Sequence, residues 1–164
     1  MGGRAVRRDL PHIGWREWVA LPALGVPRIK AKIDTGARSS ALHAFDIEYA
    51  RRGGVNYVRF VIHPLQRSAK RGVTVEVPLM GQRSVKSSNG IISRRPVILT
   101  EIKILGQRRM LDLTLVSRDA MGFRLLLGRE AIRNGFLVDA GRSFLGGRPK
   151  KRPPGPPPIR PRRG

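Results

Sequence analysis

Short runs of alternating apolar and polar residues recur along this chain, each bounded by Gly, Pro or polar clusters, and they predict strands at residues 13–21, 28–34, 41–48, 57–63 and 73–79. Residues 97–105 and 110–116 flank Gly106-Gln107 and predict a hairpin. In its second arm Leu111, Leu113 and Leu115 face one side, while Asp112 and Thr114 face the other. Between these runs, residues 84–93 hold Asn89-Gly90, a pair that favours positive dihedrals and predicts a tight hairpin tip. Downstream, Leu125-Leu126-Leu127 reads as a brief apolar strand ending at Gly128, and residues 129–134 read as one short helix. The expected organisation is a mostly β domain over residues 13–147, a flexible N-terminal arm over 1–12 and a disordered Pro/Arg-rich basic tail over 148–164. The tail holds seven prolines and no acidic residue, which excludes a helix or a central strand.

Composition narrows this picture. At 164 residues and 40% hydrophobic, the chain is long enough for one domain with a sizeable core. Aromatics are only 5%, so that core is expected to be built from Val, Ile and Leu, which suit half-buried strands. Cysteine is absent, which excludes a disulfide scaffold and a thiol nucleophile. No run approaches the ~18 apolar residues of a membrane span, and residues 1–11 lack the apolar stretch of a signal peptide, so a cytoplasmic location is expected. The net charge of +22 favours polyanionic partners, either nucleic acid or acidic peptide.

Candidate chemistry centres on Asp34-Thr35-Gly36-Ala37, entered from the alternating run Ile29-Lys30-Ala31-Lys32-Ile33 and answered by Leu125-Leu126-Leu127-Gly128-Arg129. In an aspartic protease two carboxylates roughly 3 Å apart cannot both ionise, so they share one proton and activate water between them. An aspartate on a tight turn at a strand end suits that task. Thr35 can hydrogen-bond the backbone there, and Gly36 permits a dihedral or a close approach that a side chain would forbid. Asp34 is therefore the candidate catalytic residue, Thr35, Gly36 and Ala37 its turn, and Leu127, Gly128 and Arg129 its support.

These blocks, together with Gly14-Trp15-Arg16-Glu17-Trp18-Val19, Arg38-Ser39-Ser40-Ala41-Leu42-His43-Ala44 and Arg95-Pro96-Val97-Ile98, make the chain resemble the retropepsin-like bacterial family labelled "ATP-dependent zinc protease", over roughly residues 13–145. The resemblance implies an acid-protease barrel with a short C-terminal helix, peptide hydrolysis by Asp-activated water, and association with RimK-type ATP-grasp glutamate ligases. It makes Asn89 and Gly90 the tip of a substrate-covering flap, and it gives Arg129 a structural ion pair near the active site, with Glu17, Glu130 and Asp139 as possible partners. Only one Asp-Thr-Gly exists, although Asp139-Ala140-Gly141 is a distant echo, so the second carboxylate is expected from Asp34 of another copy in a homodimer. Acidic or glutamylated peptide is the expected substrate.

Neither ATP nor zinc chemistry is expected despite the family label. The chain has no Gly-x-x-x-x-Gly-Lys-Ser/Thr loop and no His-Glu-x-x-His helix. Its histidines are His12, His43 and His63, and His43 with Asp46 is the only close pair of potential ligands. No metal or cofactor is therefore assigned. Arg38 is open to two readings, a substrate-orienting group or a solvated surface cation. Trp15 and Trp18, three apart in an extended segment, face opposite ways, so both cannot be core. The competing function is a catalytically silent module of the same fold that binds RNA, ribosomes or a ligase partner through its basic surface.

Overall fold

The computed structural model describes residues 9–64, 72–87, 89–117 and 122–148. Most of the expected arm and nearly all of the expected tail lie outside these residues. Among these residues twelve strands and one short α-helix form, in the order β1 (His12–Gly14), β2 (Arg16–Leu21), β3 (Val26–Ile33), β4 (Ser40–His43), β5 (Phe45–Arg52), β6 (Val55–Ile62), β7 (Val73–Pro78), β8 (Gly81–Lys86), β9 (Ile92–Ile104), β10 (Gln107–Val116), β11 (Leu125–Leu127), α1 (Arg129–Ile132) and β12 (Leu137–Asp139), with a 3-10 turn at Pro22–Leu24 between β2 and β3. The protein is mostly β, as its alternating runs predict.

The main sheet runs β10-β4-β11-β3-β2-β9-β8, and β9 also pairs with β10, so the strands from β10 round to β9 close into a ring. Inside it lie Val19, Ile29, Ala31, Leu42, Ile98, Ile102, Leu113, Leu115 and Leu125, all buried. A three-stranded meander, β5-β6-β7, adds Val58, Phe60, Ile62 and Val75 to the same core. The low aromatic content has the predicted consequence: branched aliphatic side chains on pleated strands do most of the filling.

Two of the expected strands divide. The run at 13–21 breaks at Trp15: β1 pairs in parallel with β12, while β2 pairs antiparallel with β3. Glu17 explains the corner, because its carboxylate turns inward and accepts the Gly14 N–H at 2.7 Å. The run at 41–48 breaks at Ala44, whose N–H reaches the Val116 carbonyl at 2.9 Å, and Phe45 then pairs with Val61 in the meander. Alternation slips at both breaks, Ala44 and Phe45 being adjacent apolar residues and Ile13 and Gly14 both buried, but the slip does not say which strand becomes the new partner.

Turn chemistry shifts other boundaries. The β9–β10 turn is Leu105-Gly106, both at positive φ, with Ile104 opposite Gln107, one residue earlier than Gly106-Gln107. β5 and β6 extend to Gly53-Gly54, both at positive φ, an unpredicted lengthening of that hairpin. The Asn89-Gly90 tip does form between β8 and β9. Gly90 adopts φ 78° and donates to the Ser87 carbonyl, and Ile91 and Ile92 are exposed beside it.

At the ends, His12, the last residue of the expected arm, pairs with Leu137, and the Pro11 carbonyl accepts the Leu137 N–H. Arg148, the first of the expected tail, places its guanidinium 5.4 Å from the Trp18 ring centre. Trp15 and Trp18 are both half-buried. Trp15 meets Phe123 edge-on, and Trp18 stacks on Phe144 at the outer sheet face. No described helix is long and apolar enough to cross a membrane.

Candidate active site

The site is built where β11 slots between β3 and β4, parallel to the first and antiparallel to the second. Leu125, Leu126 and Leu127 stand opposite Ala31, Lys32 and Ile33, so the strand leading to Asp34 is braced along its last turn of pleat. The Ile33 N–H donates to the Trp15 carbonyl and the Asp34 N–H to the Leu127 carbonyl, both at 2.8 Å. Asp34 thus emerges from a strand end fixed on two sides.

Beyond it the chain turns tightly. The Gly36 N–H donates to Asp34 Oδ1 at 3.1 Å, and the Ala37 N–H to the Asp34 carbonyl at 3.2 Å. Gly36 is favoured by proximity and not by dihedral: a Cβ there would stand a tight 3.3 Å from Asp34 Oδ1, and its φ is not among the positive ones. Asp34 is half-buried while Thr35 and Gly36 are exposed, so the carboxylate is reachable from solvent.

The loop then crosses over Gly128. A side chain at Gly128 would place its Cβ 2.3 Å from the Ser39 carbonyl oxygen, so only glycine admits the crossing. The Gly128 N–H donates to Ser40 Oγ at 3.0 Å, the Arg129 N–H to the Ala37 carbonyl at 2.8 Å and the Glu130 N–H to the Arg38 carbonyl at 3.1 Å. Here the expected association of the two sequence blocks is realised. The structure brings Asp34, Thr35, Gly36, Ala37, Leu127, Gly128 and Arg129 together.

The charged neighbours differ from expectation. Arg129 Nη1 donates to the Thr35 carbonyl at 3.1 Å, and each carboxylate considered as its partner is engaged elsewhere. Glu130 accepts from Arg38 Nε at 2.8 Å, an exposed pair that draws its carboxyl below the ordinary range mainly through that hydrogen bond. This also gives Arg38 a partner beyond solvent. Asp139 Oδ1 accepts the Gly141 N–H at 3.0 Å, so the echo of the Asp34 turn extends to geometry. Glu17 is fully buried, and its two oxygens accept the N–H groups of Gly14, Leu145 and Gly146 at 2.7–3.0 Å. Sequence reading missed that role because the donors come from both ends of the domain.

Beside α1 lies a cavity of about 300 Å³ lined by Ser40, Leu99, Met110, Asp112, Glu130 and Arg133. Among the described residues no group of three His, Asp or Glu side chains is placed to hold a metal ion. His43 lies against Arg124, Nδ1 to Nη1 at 2.7 Å, and both His43 and His63 pack on Phe45. Asp46 is exposed and takes a positive φ.

An Asp-Thr-Gly turn braced by a glycine-terminated strand threaded beneath it, in a closed β ring, defines a retropepsin-like protein. Residues 12–149 match the model of a family described as "Retropepsin-like aspartic endopeptidase RimB", and the chain belongs to this RimB-like family. It is similar to a probable alpha-L-glutamate ligase of Shewanella halifaxensis (strain HAW-EB4), 48% identical over 132 residues, covering 80% of this chain and 29% of that protein. A protein of the same description from Parasynechococcus marenigrum (strain WH8102) is 42% identical over 127 residues, covering 77% of this chain and 27% of that one. The chain therefore spans under a third of the length of these curated relatives. A crystal structure of a Legionella pneumophila protein of unknown function aligns with TM-score 0.68 and 29% identity, over 83% of this chain and 98% of that one.

Proposed function

We propose that the protein is an aspartic endopeptidase in which Asp34 supplies one of two active-site carboxylates and the Asp34 of a second copy supplies the other. The observation that carries this reading is the Asp34 turn itself: a solvent-reachable carboxylate whose Oδ1 is oriented by the Gly36 amide and whose backbone is pinned by Leu127. In the proposed dyad one carboxylate takes a proton from water as the water oxygen attacks the scissile carbonyl. The other gives its proton to the carbonyl oxygen, and a proton then passes to the leaving amine as the C–N bond breaks. No cofactor enters these steps.

Acidic or glutamylated peptide is the proposed substrate class, supported by the net charge of +22 and by the ligase names of the relatives. A ligase-related protein of the RimK type is the proposed partner, acting with it in the cytoplasm. The β8–β9 hairpin, with Asn89-Gly90 at its tip, is proposed to fold over bound peptide.

Asp34→Asn tests the assignment. Asparagine keeps the turn's acceptor for Gly36 but cannot take a proton from water, so hydrolysis of an oligoglutamate-bearing peptide is expected to fall at least a hundredfold. The thermal midpoint and the oligomeric state, read by sedimentation, are expected to stay unchanged. Wild-type rates from folded Asp34→Asn protein would refute the reading.

A further inference from the structure

The outward face of β2 and β3 carries a cationic row with aromatic rings set into it. Arg16 and Trp18 point outward on β2 and stand opposite Lys32 and Lys30 of β3, and Arg28 continues the row. The segment after β12 returns across this face, where the Phe144 N–H donates to the Arg16 carbonyl and its ring stacks on Trp18 at 6.0 Å and 26°. The cations lie against these rings. Arg16 is 4.5 Å from the Trp15 ring centre and 4.9 Å from that of Phe144, Lys30 is 5.3 Å from Trp18, and Arg148 is 5.4 Å from Trp18.

Little offsets this charge. The one acidic residue of β2 and β3 is Glu17, which points inward and is spent on backbone amides. The described ion pairs, Arg38–Glu130, Arg52–Glu76, Arg83–Asp112 and Arg108–Glu101, involve none of Arg16, Arg28, Lys30 or Arg148. Past Arg148 the sequence continues with Lys150, Lys151 and Arg152. Like charges gathered on a rigid surface create a field that a polyanion relieves.

We infer that this face is a docking surface for single-stranded nucleic acid. Cations in register along two strands meet phosphates, and the Trp18–Phe144 pair offers flat apolar surface on which bases stack, the combination that binds single strands with little sequence preference. An oligoglutamate satisfies the charge but has no aromatic bases to stack on the rings. This inference stands apart from the peptidase reading, and its test reads binding alone.

The full chain is titrated with a fluorescein-labelled oligouridylate of about 12 nucleotides, within the site sizes of single-strand binders, and anisotropy is followed across a salt series. Arg28→Gln/Lys30→Gln removes two charges from the face. Arg51→Gln/Arg59→Gln removes two from exposed positions of β5 and β6. The face variant is expected to bind more weakly, with a log–log salt slope shallower by about 1.4, which is two single-strand phosphate contacts. The control is expected to match wild type. Lys30→Gln alone, with a slope change of about 0.7, serves should the double variant fail to fold. Equal losses in both variants, no binding by wild type at low salt, or an oligoglutamate displacing the probe as well as unlabelled oligouridylate would each overturn the inference.

Discussion

Glu17→Gln is expected to destabilise the domain measurably although it changes one atom of a residue remote from solvent. The Glu17 carboxylate accepts three backbone N–H groups, those of Gly14 and Leu145 at Oε2 and that of Gly146 at Oε1. A glutamine has one acceptor oxygen. Placed at the Oε2 position, it keeps two bonds, now without charge assistance, and turns its NH2 towards the Gly146 N–H. A hydrogen bond to a charged group contributes about 1.5–3 kcal/mol, and a buried donor left unmet costs its desolvation. The loss is therefore about 2–3 kcal/mol, and for a domain of this size it lowers Tm by roughly 4–12 °C. Thermal unfolding followed by circular dichroism, together with urea titration, reads both quantities. A Tm within about 1 °C of wild type would mean that Glu17 does not tie the corner between β1 and β2 to the returning chain.

Gly128→Ala forces a Cβ to 2.3 Å from the Ser39 carbonyl oxygen, and since the three nearest atoms are all backbone the loop must shift. A cost of about 1–3 kcal/mol is expected in the urea midpoint, and an unchanged midpoint would show the crossing to be loose. Arg38 holds the folded-state pKa of Glu130 down, so this pair's small, salt-screened contribution is present above the unfolded carboxylate range and fades as pH falls through the folded value. In Arg38→Gln the Glu130 carboxyl is expected to titrate at higher pH by NMR, and an unmoved midpoint would remove that cause. Amides at the β8–β9 tip are expected to exchange faster than those of residues 97–104 of β9, which pair with β10, and to gain protection when a peptide inhibitor saturates the protein. Exchange indifferent to inhibitor would reduce the flap to an ordinary turn.

What the sequence made legible is what local chemistry encodes. The Asp34 turn declares itself through Thr35 and Gly36, and the Asn89-Gly90 tip through its tolerance of positive φ. Leu125-Leu126-Leu127-Gly128 was readable as support for Asp34 because the aspartic-protease pattern announced by Asp34-Thr35-Gly36 calls for a second apolar strand ending in glycine. Long-range bonding was not legible. Nothing near Glu17 announces that Leu145 and Gly146 will supply its donors. Nothing near Arg129 says that its guanidinium will settle on the Thr35 carbonyl and leave Glu130 to Arg38. The partners on either side of Trp15 and Ala44 were hidden for the same reason, since period-two alternation records which face is buried and not which strand lies alongside.

The insertion of β11 between β3 and β4 also orders events in time. Until residues 125–127 have left the ribosome, the strand carrying Asp34 has a vacant edge and the amide of Asp34 has no Leu127 carbonyl to meet. Such distant pairing is slow to form, because loop closure precedes any gain from contact. A nascent chain therefore carries its Asp-Thr-Gly motif without the brace that shapes it until β11 has been made.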